Sequence, residues 1–84
     1  MRIYKKDIDG EDHWRATIAV QISVADRGFV HHKPKKCEDV SFEEYFEEAI
    51  KSLSEIKKKI DSAKNKESLI KKYDVKTPTA YKAN

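Results

Sequence analysis

The chain has 84 residues, 38% of them hydrophobic, enough for one modest core and too few for a second domain. Charged residues make up 39%, giving a densely ionic surface, while the net charge of +3 is a mild excess that admits an anionic partner without requiring one. A single cysteine, Cys37, excludes an internal disulfide and points to the cytoplasm, and neither a bilayer-spanning run nor a secretory leader is visible, so the expectation is a soluble protein with no membrane partner.

In chain order, Arg2 to Asp7 reads as a first strand, closed by Asp9-Gly10, a pair that accepts the positive backbone angles of a tight hairpin. Residues 14 to 24 then place Trp14, Ala16, Ile18, Val20, Ile22 and Val24 on one face at period two, the mark of a half-buried strand. A turn at Ala25 to Gly28, with Gly28 left-handed, leads into a third strand at Phe29 to His32. Pro34 has no amide hydrogen, so it ends that strand or lies on its exposed edge, and Lys33 to Asp39 reads as connection.

Ser41 opens a long helix: Glu44 stands three residues on to complete a capping box, and Val40 and Tyr45 hold staple positions. Phe42, Phe46, Ala49, Leu53, Ile56 and Ile60 form its apolar stripe. Glu43, Glu44, Glu47 and Glu48 crowd its start and Lys57, Lys58 and Lys59 its end, an order that suits the helix dipole. A break near Asn65 precedes a short second helix with Leu69, Ile70 and Tyr73. The expected fold is α+β: a three-stranded antiparallel sheet packed on one long helix, one domain over residues 1–73, with Trp14 and Phe46 central to its core. Asp74 to Asn84 reads as a flexible tail, disordered alone or docked as an extended peptide.

No catalytic signature emerges, and the chain is expected not to be an enzyme and to need no cofactor or small-molecule substrate. His31, His32, Cys37 and His13 resemble soft-metal ligands in type, but adjacent strand histidines point to opposite faces and no second cysteine closes a site, so no metal is expected. Cys37, among Lys35, Lys36, Glu38 and Asp39, reads as an ordinary thiol. The helix carboxylates read as a solvated face, and Gly10 and Gly28 form no phosphate cradle.

The second face of the sheet carries Arg15, Thr17, Ala19, Gln21 and Ser23, flanked by Arg2, Tyr4 or Lys6 and by His32 or Lys33. Such a face is either plainly solvated or able to enter the DNA major groove, with rim cations on phosphates. The order of a strand, the Asp9-Gly10 turn, a strand with Trp14-Arg15-Ala16-Thr17-Ile18, a third strand, then Ser41-Phe42-Glu43-Glu44-Tyr45-Phe46-Glu47-Glu48-Ala49-Ile50 resembles the APETALA2-type DNA-binding domain. It is similar also to the arm-site-binding N-terminal domain of tyrosine integrases from phages and conjugative elements, over residues 2 to 53. The resemblance implies that Trp14, Ala16 and Ile18 are core and that Arg15, Thr17 and Ala19 face DNA. Where the family places charged readers, this chain has the small Thr17 and Ala19, and its third strand offers histidines and lysines instead of arginines.

Two expectations of function follow. The first is a small DNA-binding protein or accessory factor of a phage or mobile element, reading duplex DNA through Arg2, Lys5, Lys6, Arg15, Thr17, Gln21, His32, Lys33, Lys35 and Lys36. The second is a protein-interaction module, an inhibitor or a homodimeric adaptor, acting through Tyr45, Ile50, Leu53, Ile56 and Ile60 of the helix stripe.

Overall fold

The computed structural model describes residues 1–77. Strand β1 (Arg2–Ile8) and strand β2 (Glu11–Gln21) form a hairpin in which Ile8 pairs with Glu11, leaving Asp9-Gly10 as a two-residue turn. Both turn residues have positive φ, 54° and 82°, as a turn matching the strand twist requires, and the Gly10 amide donates to the Asp7 carboxylate at 2.9 Å. Strand β3 (Arg27–Lys36) pairs antiparallel with β2, giving the order β1-β2-β3. Helix α1 (Phe42–Ser62) lies across one sheet face, and the short helix α2 (Glu67–Lys72) follows. The α+β architecture expected from the two periodicities is the one observed.

Its details differ from expectation in five places, each with a local cause. Strand β2 stops at Gln21 because the Ile22 and Ser23 amides both turn back to the Asp26 carbonyl, while the Ser23 hydroxyl donates to the Asp26 carboxylate and accepts from the Asp26 amide. That closed loop throws Val24 into solvent, 98% exposed, although its spacing matched the strand. Strand β3 runs on through Pro34, which an edge strand tolerates: Lys33 and Pro34 together oppose Arg15, a bulge between the Trp14–Lys35 and Ala16–His32 pairs. The third difference is Gly28, which is buried and not left-handed. A Cβ there would stand 2.5 Å from Val75 Cγ1 and 3.1 Å from the Lys76 carbonyl, so glycine is needed for the close approach of another segment.

That segment is the fourth: residues 74–77 are not a flexible tail but take the other form expected of it, an extended peptide docked on the domain. Asp74, at φ 51°, reverses the chain after α2, Val75 is buried, and the amide and carbonyl of Lys76 both bond to Phe29 at 2.8 Å. Residues 74–77 therefore dock as an extended peptide along β3, and the remainder of the expected tail, residues 78–84, lies outside the described residues.

The fifth difference is the rotation of α1. Ser41 caps it with a complete capping box, as the sequence predicts. Yet the fully buried residues are Tyr45, Ala49, Leu53 and Ile60, packed on Ala16, Val20 and Val30, whereas Phe42 and Phe46 are 45% and 39% exposed. Phe46 is therefore not central to the core; Tyr45 is. The Tyr45 hydroxyl donates to the Lys33 carbonyl at the bulge, 3.0 Å away, and its ring meets His32 edge-on, so the sheet holds the helix by a polar anchor that an apolar stripe does not reveal. Trp14 is half-buried beside the core, donating its indole N–H to the Val40 carbonyl at 3.1 Å. The helix ends at Ser62, where the Lys66 ammonium folds back onto the Ile60 and Asp61 carbonyls.

Candidate nucleic-acid interface

Strand alternation leaves one sheet face uncovered by α1. Pairing aligns Arg2 with Thr17, Tyr4 with Arg15, Thr17 with His31 and Ala19 with Phe29, so these residues share that face in adjacent rows. Lys6 and Gln21 continue the same alternation, and Lys76, paired with Phe29, extends the face beyond β3. Thr17 and Ala19 are small, so the centre is recessed into a shallow depression lined by Arg2, Tyr4, Thr17, Ala19, Phe29 and His31, with a volume of about 610 Å³.

The electrostatics of this face are one-sided. Among the described residues, Arg2, Lys6, Arg15 and Lys33 take part in no ion pair. Glu11, near the hairpin end, is bound by Lys36 at 2.7 Å, and Asp74 by Lys76 at 3.1 Å. His31 registers the resulting field: burial first, then Arg15, Lys6 and Lys76, push its pKa below the ordinary imidazole value, with Asp74 opposing. The neutral ring bonds to the Thr17 hydroxyl at 2.7 Å. The Arg2 guanidinium lies over the Tyr4 ring, 5.3 Å from its centroid. The Arg15 Nε is buried with no hydrogen-bond partner among the described residues.

Of the residues proposed from sequence for DNA, Arg2, Lys6, Arg15, Thr17 and Gln21 thus lie on the uncovered face, and Lys33 is exposed at the bulge beside it. Four are not available there. Lys5 is on the helix side with its ammonium over the Trp14 ring, at 5.4 Å. His32 is turned under α1 against Tyr45 and lies 3.4 Å from Glu48; Lys35 reaches the same carboxylate at 2.7 Å. Lys36, paired with His13 in the row of Lys6, does share the uncovered face, but its ammonium is engaged by Glu11. Lys35 and Lys36 thus fasten one part of the molecule to another, and the hydrogen bond from Lys35 is the main reason that Glu48 stays ionised below the usual carboxylate range.

Sequence reasoning missed Phe29 and Lys76. Alternation against the buried Val30 puts Phe29 on the outer face, a signal present in Phe29-Val30-His31-His32; Lys76 had none, because it depends on the peptide docked over Gly28.

The interaction stripe is likewise redrawn. Tyr45, Leu53 and Ile60 are wholly buried and Ile56 is half-buried, so they form the intramolecular core and not a docking surface. Ile50 remains exposed at 42% and joins Phe42 and Phe46 along one helix flank, with Phe42 edge-on to Trp14 at 5.5 Å. Among the described residues no group of histidine, cysteine or carboxylate side chains has the arrangement to hold a metal, and no helix is long and apolar enough to cross a membrane. No protein-family model, curated protein or solved structure matches the chain.

Proposed function

We propose that the protein is a small, non-enzymatic DNA-binding protein that meets its ligand with the uncovered sheet face, of the kind that serves as an accessory factor for a phage or other mobile element. The observation that carries this reading is the convergence on one face of Arg2, Lys6 and Arg15, none of them in an ion pair among the described residues, while the nearby Glu11 and Asp74 are each held by a lysine. Uncompensated cations on a flat surface repel one another in the free protein and gain energy when phosphates release their counterions. Their position on the sheet, away from the acidic start of α1, keeps that attraction local despite a net charge of only +3.

The experiment is fluorescence anisotropy on mixed-sequence DNA across a salt series. Each phosphate contact contributes a log–log slope of about −0.9 on duplex and about −0.7 on single strands. The combined Lys6→Ala and Arg15→Ala variant should flatten the slope by nearly two contacts and weaken binding whatever the sequence. Binding that ignores salt, or that survives in this variant, contradicts the reading.

A second reading has its own observation. The exposed Phe42, Phe46 and Ile50 side chains follow one another at steps of four along one flank of α1, on the side away from Glu48 and β3. It favours association with another protein surface, with a second copy as the simplest case.

A further inference from the structure

We infer that the uncovered sheet face binds single-stranded nucleic acid, with unstacked bases laid on Tyr4 and Phe29. This inference rests on the nucleic-acid reading of the same face and specifies the form of the ligand.

A sheet that reads a duplex does so with side chains long enough to reach base edges at the floor of a groove. The central strand here offers the opposite. Thr17 and Ala19 are short, they lie at the bottom of a depression, and the Thr17 hydroxyl is already engaged by His31. What stands up from the face is aromatic. Tyr4, half-buried with the Arg2 guanidinium over its ring, stands on β1 at the Arg15 row and Phe29, 41% exposed, on β3 at the Ala19 row, one on each side of the small residues. An exposed phenylalanine ring on a sheet face gains free energy when an apolar or aromatic surface covers it, and the docked peptide at Lys76 leaves this one open.

Geometry separates the two ligand forms. Tyr4 and Phe29 are two strand spacings and four residues apart, about 16 Å by standard sheet dimensions. Bases in a duplex are stacked every 3.4 Å along each strand and hide their faces from any protein surface. A single strand exposes those faces and can splay one base onto each ring. Charge follows the Tyr4 ring. Arg2 lies over Tyr4, with Arg15 as the cross-strand neighbour of Tyr4, and Lys76, whose ammonium is shared with the exposed Asp74, is paired with Phe29, so the unpaired positive charge is concentrated beside Tyr4. The Arg2 guanidinium is itself a plane on which a base can stack. His31, held neutral between the rings, adds no charge to the floor.

The test compares one mixed sequence of about 12 nucleotides, labelled with fluorescein, as single-stranded DNA, as single-stranded RNA and as the DNA duplex, each titrated with the full chain at several salt concentrations. The wild type should bind at least one single strand about tenfold or more tighter than the duplex. Tyr4→Leu and Phe29→Leu keep apolar bulk on the sheet and remove the ring. Each should lose about tenfold for the single strand, in line with the worth of one stacked base, while keeping the salt slope of the wild type.

Duplex binding as tight as or tighter than that of both single strands overturns the inference, and this comparison needs no variant to fold. Leucine variants that bind the single strand as the wild type does also overturn it. In both cases a salt slope that falls in the Lys6→Ala and Arg15→Ala variant preserves the reading of the face as a nucleic-acid site. Absence of binding to all three probes at low salt removes both.

Discussion

His31 is the residue through which the uncovered face reports its own charge. Its imidazole lies among Arg15, Lys6 and Lys76, and burial together with these cations holds its pKa below the ordinary value of about 6.5. The sign follows from linkage. Above about pH 6.5 the ring is neutral in both the folded and the unfolded chain, and the fold has its full stability. As pH falls through that value the unfolded chain takes up the proton more readily, so stability is lost on acidification until the folded pKa is passed. His31→Asn should remove this part of the pH dependence of the thermal midpoint while leaving the rest of the profile in place. A bound polyanion reverses the local field, because phosphates near Arg15 and Lys76 offset the repulsion that disfavours the imidazolium. Titration of the His31 ring by NMR should therefore give a higher pKa in the nucleic-acid complex than in the free protein. An unchanged value would place the phosphates elsewhere.

At the scale of the elements, the contact that matters most is the one between α1 and the bulge of β3. Proline at position 34 keeps that stretch irregular, and the Lys33 carbonyl accepts the hydroxyl of Tyr45, a side chain with no solvent exposure. Burial pushes the Tyr45 hydroxyl pKa up, so it remains a donor at any physiological pH. Tyr45→Phe preserves the packing and leaves the carbonyl one donor short, a loss of about 1–3 kcal/mol. In a domain this small that is a fall in Tm of roughly 4–8 °C for each kcal/mol. Phe46→Ala, at a position 39% exposed, should cost less than Tyr45→Ala, and equal losses would show that the helix is seated differently. The start of α1 was legible in the sequence because Ser41 and Glu44 make their contacts within one turn. Its rotation was not, because Phe42–Phe46 and Tyr45–Ala49 are both steps of four, and only the bulge opposite Arg15 selects between them. Strand β2 was misjudged past Gln21 for a similar reason: side-chain spacing says nothing of the loop that Ser23 and Asp26 close.

The whole molecule presents two unlike surfaces, a basic sheet face and an apolar helix flank, and they were unequally legible. Alternation alone puts Arg2, Lys6, Arg15 and Thr17 together, whereas Lys76 joins them only through the peptide docked over Gly28, Lys5, His32 and Lys35 lie on the helix side with Trp14 and Glu48, and Lys36 is tied up by Glu11. The flank of Phe42, Phe46 and Ile50 lies on the layer opposite the basic face, so the two surfaces can be engaged together. If a second copy covers the flank in the antiparallel sense, the acidic start of one α1 lies along the lysine-rich end of the other. Sedimentation equilibrium should then show a dimer whose dissociation is promoted by Phe46→Ser and Ile50→Ser, substitutions at exposed positions that leave the core residues Tyr45, Ala49 and Leu53 untouched. Such a dimer carries two nucleic-acid faces, so its affinity for an oligonucleotide long enough to reach both exceeds its affinity for a short one by avidity alone. The serine variants should keep the affinity of the wild type for the short oligonucleotide and lose the advantage on the long one. A protein that sediments as a monomer at high concentration, with the same affinity per site on both lengths, excludes self-association and leaves the flank to a different protein, while the nucleic-acid role of the sheet face stands or falls on its own binding.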